Sequence, residues 1–180
     1  MCPTVLKQNS KTQNRIIGVD PGLASTGWGV LEFSGGRFRH IAHGCIETCA
    51  GENRGERLLI IHKEFLEILK SHKPSEAAME NIYFGKNISS AMSVAEARGV
   101  LLLTLRSQGL FVRELTPHAI KQAVVGISRA GKNQIQEMVR IILGLNEIPK
   151  PDHAADALGA AICAAQMGSL SLAANLPAEK

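Results

Sequence analysis

Arg15-Ile16-Ile17-Gly18-Val19-Asp20-Pro21-Gly22-Leu23-Ala24-Ser25-Thr26-Gly27-Trp28-Gly29-Val30 is the stretch that decides the fold. Ile16, Ile17 and Val19 form a β-branched run without polar alternation, the pattern of a strand covered on both faces. Pro21-Gly22 breaks the strand, and the glycines allow a tight return into a second apolar run. Asp20 therefore stands at the last position of a central strand, at the edge of solvent. A carboxylate there either caps a turn or ligates a hard cation, and the stretch alone favours neither.

Outward from this stretch, Gly27–Phe33 and Arg37–Ile46 are two further strand candidates, with Ser34-Gly35-Gly36 as a hairpin turn signal. Three consecutive strands joined by short turns imply an antiparallel unit containing the Asp20 strand. Asn53 to His72 reads as a helix, with Leu58, Ile61, Phe65 and Ile68 on one face and Pro74 stopping it. Glu76-Ala77-Ala78-Met79-Glu80 is weak as a strand by propensity, yet it lies between two helices, where a parallel strand is expected. Ser90 to Arg106 is helical and apolar nearly all round; the surplus beyond a sheet-packing face predicts a subunit interface, hence a homodimer. Gly109 to Leu115 is a further strand, and Thr116-Pro117 caps and starts a helix. Asn133 to Leu143 is amphipathic, and a last helix runs from about Asp152 to Met167. This order predicts an α/β fold, a mixed five-stranded sheet with helices on both faces. Residues 1–14 read as a disordered extension, 15–167 as one domain and 168–180 as a flexible tail.

A chain of 180 residues, 45% hydrophobic, suits one core, and 20% charged residues exclude a disordered polyelectrolyte. The net charge of +4 suits a polyanionic partner. Cys2, Cys45, Cys49 and Cys163 form no tight pair, and the N-terminus carries no secretory h-region, which points to a reducing, cytoplasmic setting. His43, Cys45 and Cys49 lack the second ligand pair of a zinc site and read as ordinary strand and loop residues. No apolar run reaches the roughly 20 residues needed to span a bilayer, so no membrane association is expected.

Three acids lie at element boundaries. Asp20 ends the first strand, and Glu80 ends the fourth strand candidate. Asp156 lies in the first turn of the last helix, with His153 and Asp152 at helical spacings that bring either onto its face. Singly, each acid has an ordinary reading: Asp152 and Asp156 complement a helix dipole, and Glu80 is a surface acid. Together, if the first and fourth strands are neighbours, Asp20 and Glu80 share a sheet end and the helix adds Asp156 and His153. Carboxylates so packed repel unless cations sit between them, which predicts two divalent metals, Mg²⁺ or Mn²⁺. Such a pair activates water against a phosphodiester.

Ile17-Gly18-Val19-Asp20-Pro21-Gly22 and Met79-Glu80-Asn81-Ile82-Tyr83-Phe84-Gly85-Lys86-Asn87 resemble the RuvC-type Holliday junction resolvases. Ala97-Arg98-Gly99, Lys121-Gln122-Ala123-Val124-Val125-Gly126 and His153-Ala154-Ala155-Asp156-Ala157-Leu158 are similar in the same order. The resemblance covers about residues 15–167 and implies a ribonuclease-H-like nuclease domain. It also implies a homodimer, a branch-migration helicase partner, and Mg²⁺-dependent paired nicking of four-way DNA junctions in recombination and repair. By motif, the implied catalytic and metal-binding set is Asp20, Glu80, His153 and Asp156. Many family members carry Asp where His153 stands, and imidazole suits Mn²⁺ or proton transfer better than Mg²⁺. Asp152 is about 100° away around the helix, so His153 is the preferred ligand. Tyr83 and Phe84 are candidates for stacking on an unpaired base. Lys86, Asn87, Lys121, Arg129 and Lys132 are candidates for phosphate contact.

Two other readings compete. Actin-like ATPases and sugar kinases also begin with a strand ending in Asp and a Gly-rich hairpin, but they need a second related domain to clamp ATP. A non-catalytic junction-binding protein on the same fold predicts missing acids, whereas Asp20, Glu80 and Asp156 are all present.

Overall fold

The computed structural model describes residues 14–81, 88–127 and 129–174, with side chains for all of these except 88–90 and 169–174. The first three strands are β1 (Arg15–Asp20), β2 (Ser25–Ser34) and β3 (Arg37–Glu47), an antiparallel unit. The β2–β3 turn uses Gly35 and Gly36, both at positive φ (58° and 74°), the backbone that a tight hairpin requires. Helix α1 (Arg54–His72) is capped by Asn53, whose side chain accepts from the Gly55 amide at 2.8 Å. Strand β4 (Glu76–Glu80) then pairs parallel with β1 despite its weak propensity; Ala77, Ala78 and Met79 are fully buried, and burial overrides propensity.

Helix α2 (Ile88–Ser107) leads to β5 (Val112–Leu115), parallel to β4. The strand expected from Gly109 begins three residues later. Gly109 and Leu110 close the end of α2 instead, donating to Arg106 O at 3.0 Å and Leu105 O at 3.1 Å. Helix α3 (Pro117–Val125) has Thr116 as N-cap and Pro117 in its first turn, as the sequence indicates. Helices α4 (Lys132–Leu143) and α5 (Asp152–Ala174) complete the chain. Helix α5 continues past Met167 through residues 168–174, which the sequence reading assigned to a flexible tail. Leu170, Leu172, Ala173 and Ala174 are good helix formers, and no proline occurs before Pro177. Asn14, read as part of the N-terminal extension, extends the sheet by accepting from the Phe33 amide at 3.2 Å.

The sheet order is β3-β2-β1-β4-β5, with β1 central. Ile17, Val19, Ala77 and Met79 face one core, shared with Ile61 and Phe65 of α1 and Leu101 and Leu105 of α2. Ile16 and Ala78 face the other, shared with Leu158 and Ile162 of α5 and, beyond it, Ile120 of α3 and Val139 of α4. Alternation along a strand puts Asp20 on the face of Ile16 and Gly18, and Glu80 on the face of Ala78. Gly18 pairs in register with Ala78, so the next matching step brings Asp20 and Glu80 side by side on the α5 face. Among the described residues, no helix is long and apolar enough to cross a membrane.

Helix α5 lies against β1 and β2 at backbone contact. A Cβ on Gly18 would lie 1.9 Å from Ala157 O, and one on Gly27 would lie 2.0 Å from His153 O. A Cβ on Gly29 would meet the Leu158 side chain at 2.6 Å. Gly18→Ala is therefore expected to destabilise the protein by about 1–3 kcal/mol, the cost of overpacking against an unyielding backbone. A thermal melt checks this, with Gly51→Ala, where a Cβ would have open space, leaving the midpoint unchanged.

Candidate active site

Asp20 ends β1, and the turn behind it is braced. Thr26, fully buried, donates from Oγ1 to Gly22 O at 2.7 Å, and Thr48 Oγ1 donates to Leu23 O at 2.6 Å. His153 lies in the first turn of α5 and Asp156 at the start of the second, on the helix held at backbone contact with Gly27 and Gly18. The helix therefore delivers both side chains over the end of β1. Each of Asp20, His153 and Asp156 offers a ligand atom within 4.8 Å of the others, a spacing one cation can bridge. His153 Nδ1 donates to Asp20 Oδ2 at 2.7 Å.

Glu80 stands beside this group. Burial, then the negative charges of Asp20 and Asp156, push its carboxyl up to about 7, with Lys121 partly offsetting them. Asp156 is also raised, first by burial and then by Asp20. His153 moves up because its hydrogen bond to Asp20 favours the charged ring. The donor set is thus rich in carboxylate oxygen and short of positive charge, which fits a hard divalent cation with one imidazole among its partners.

A cavity of about 200 Å³ adjoins the acids, lined by Glu80, Asp156, Lys121, Lys132 and the apolar side chains of Pro117, Ile120 and Ile135. The structure thus brings Lys121 and Lys132 to the acids, each from a different helix. Arg129 lies exposed in the loop between α3 and α4 and does not line this cavity. Tyr83, Phe84, Lys86 and Asn87 lie outside the described residues. Asp152 is not part of the three-residue group; its Oδ2 pairs with Lys132 Nζ at 3.1 Å. Among the described residues His43, Cys45 and Cys49 form no metal-binding group, and His43 Nδ1 instead meets His40 Nε2 at 2.8 Å.

Two features escaped the sequence reading. Arg98, in a quoted motif but given no role, donates from Nη2 to Asn81 Oδ1 at 3.2 Å and also bonds Glu114. It thereby fixes the residue that follows Glu80. Gln136 is buried at 6% exposure, one turn beyond Lys132 on α4, and its amide faces Asp152. The i to i+4 spacing from Lys132 was a usable signal; the approach of α4 to the start of α5 was not visible in the chain order.

Known proteins resemble this chain in sequence and in fold. The family model for "Crossover junction endodeoxyribonuclease RuvC" matches residues 16–164. A protein of that name from Treponema denticola is 50% identical over 169 residues, covering 92% of this chain and 95% of its own. Another from Pelotomaculum thermopropionicum is 50% identical over 148 residues, covering 82% and 90%. Among solved structures, T. thermophilus RuvC in complex with Holliday junction substrate matches with a TM-score of 0.83 at 34% identity, covering 87% of this chain and 96% of that one. The yeast mitochondrial Holliday junction resolvase Ydc2 matches with a TM-score of 0.64 at 15% identity, over 89% and 81%, a likeness of fold.

The raised carboxyl of Glu80 has a consequence for stability. A native pKa above the unfolded value means that the folded state holds the proton more tightly, so this stabilising contribution is present below about pH 4.5 and is lost as pH rises through about 7. Glu80→Gln is accordingly expected to raise the melting temperature in EDTA, and by more at pH 8.5 than at pH 5. Equal gains at both pH values would show that Glu80 does not titrate in this window.

Proposed function

The chain belongs to the crossover junction endodeoxyribonuclease RuvC family, and from that premise we infer that it resolves four-way DNA junctions with Asp20, Glu80, His153 and Asp156 as its catalytic, metal-holding set. The observation that carries this reading is the convergence of Asp20, His153 and Asp156 within 4.8 Å at a sheet end that also bears Glu80. A bound divalent cation supplies a water of lowered pKa and charge stabilisation at the phosphoryl oxygens. The acidic donors favour Mg²⁺, two ions per site, and His153 favours Mn²⁺ as a working substitute.

The chain's own groups do the rest. Asp20, Glu80 and Asp156 are kept near one another by β1, β4 and α5, so the geometry for cation binding exists before substrate arrives. His153 Nδ1 donates a hydrogen bond to Asp20 Oδ2, and that bond would have to break for this oxygen to bind a cation. Lys121 and Lys132 line the adjoining cavity and suit a DNA phosphate held beside the acids; Arg129, on the α3–α4 loop, suits a more distant phosphate. The segment after Glu80, with Tyr83, Phe84, Lys86 and Asn87, carries the side chains suited to stacking on an unpaired base and holding its backbone.

Paired nicking needs two sites, and α2 supports a homodimer. Met92 and Leu103, i and i+11 on one stripe of that helix, are 56% and 68% exposed. Leu103→Glu is expected to shift the protein to monomer in sedimentation and to uncouple the two nicks.

The deciding experiment is cleavage of a synthetic four-way junction beside linear duplex of the same sequence, in Mg²⁺, Mn²⁺ and EDTA. Symmetric, metal-dependent nicks on the junction alone are expected. Asp20→Asn is expected to lower the rate about a thousandfold or more while leaving junction binding intact, since loss of a metal carboxylate removes several kcal/mol of transition-state stabilisation. Tight junction binding without cleavage in either metal would assign the chain a binding role instead.

A further inference from the structure

Lys132 is the first residue of α4, whose N-cap is Gly131. A cation at a helix N-terminus opposes the dipole, so the ammonium gains nothing from its own helix and turns outward. It lies 3.1 Å from Asp152 Oδ2 and 3.7 Å from Asp156 Oδ2. Asp156 belongs to the metal-holding group and Asp152 does not. The lysine thus stands between a carboxylate that the site needs and one that it does not.

We propose that Asp152 is a positioning residue that restrains the Lys132 ammonium at the rim of the site, leaving the Asp156 carboxylate free for a divalent cation. Asp152 is suited to the task. It is the first residue of α5, where a carboxylate complements the helix dipole. The Gln136 side chain, on the same helix as Lys132, helps hold the Asp152 carboxyl below its usual range. Its Nε2 is buried with no hydrogen-bond partner among the described residues. Asp152 and Lys132 are 62% and 53% exposed, so the pair contributes little to folding and can be altered cleanly. When Asp152 is lost, Lys132 needs to shorten its 3.7 Å contact with Asp156 by less than about an ångström to make a close ion pair. It then occupies, as a tethered cation, the position the metal requires.

The inference rests on the metal-dependent reading above, and a double-mutant cycle on the full chain, read by Mn²⁺ calorimetry without DNA, tests it. Asp152→Asn is expected to weaken Mn²⁺ binding roughly three- to tenfold, a coupling typical of one charge network. Lys132→Met is expected to tighten it. In the Lys132→Met background, Asp152→Asn is expected to change binding by less than about twofold, because there is no ammonium left to restrain. Asp152→Glu is expected to restore near-native affinity, and the melting temperature should fall by no more than a few degrees in Asp152→Asn, the loss of a carboxylate at a helix N-terminus. Equal weakening with and without Lys132 would make Asp152 a plain source of negative field, and no weakening in either background would remove it from the site; both overturn the proposal. Absence of Mn²⁺ binding by the unaltered protein would instead overturn the metal-dependent reading, and this inference with it.

Discussion

The backbone of α5 rests directly on β1 and β2, and the site exists because nothing intervenes. Gly18 faces Gly29 across the β1–β2 ladder and Asp20 faces Gly27, so of these four residues only Asp20 presents a side chain toward the helix. Residues 153, 157 and 161, at intervals of one turn, supply the backbone atoms that fill the gap. Helix and sheet normally stand apart by the thickness of two layers of side chains. Here a single methyl group at position 18 or 27 would push the first turn of α5 away from Asp20. The distance between His153 and Asp20 is therefore set by three glycines, and the polar chemistry is built on a purely steric arrangement.

That arrangement has an electrostatic cost. Three carboxylates and one imidazole converge, and two of the acids, Glu80 and Asp156, respond by holding protons more tightly. Without a bound cation the repulsion is reduced by what is at hand: a proton on Glu80, the His153 hydrogen bond to Asp20, and the ammonium of Lys132. Each of these is a weaker version of what a divalent ion supplies. A divalent ion bound at the site would displace protons and the long contact from Lys132 to Asp156. The same groups that make the site unfavourable when empty give it affinity when filled.

Much of this was legible in the chain. The uninterrupted Ile16-Ile17-Val19 run marked β1 as central, Pro21 and Gly22 fixed its end, and Asp20 followed as a rim carboxylate. The hairpin and the Thr116 N-cap were readable from local rules, since capping and turn chemistry act over three or four residues, and the parallel strand ending at Glu80 was readable from its place between two helices. What resisted reading depends on contacts distant in sequence. Gly27 and Gly29 fall in a strand candidate, but nothing in the local sequence shows that they serve a helix more than 120 residues away. Asp152 looks like a helix-capping acid or a spare ligand until α4 places Lys132 beside it. The end of α5 was misjudged because small residues suggested fraying, while the absence of a breaker before Pro177 argued for continuation.

The position of Glu80 shows how the outer helices reach the chemistry. Glu80 is the last residue of a five-residue strand, and short strand ends fray unless something beyond them is tied down. Three ties are present. Glu80 pairs with Leu115 in the β4–β5 ladder, the Asn81 amide donates to Leu115 O at 2.7 Å, and Arg98 holds the Asn81 side chain from α2. Arg98 is 17% exposed and also pairs with Glu114 of β5, so it links α2, β5 and the residue after Glu80 through one guanidinium. Helix α2 is also the element that leaves Met92 and Leu103 exposed. A surface packed against that stripe would press on the helix that anchors Asn81, one residue from a site carboxylate. A partner packed on α2 would therefore bear on the placement of Glu80 through Arg98, a path of one helix and one planar side chain.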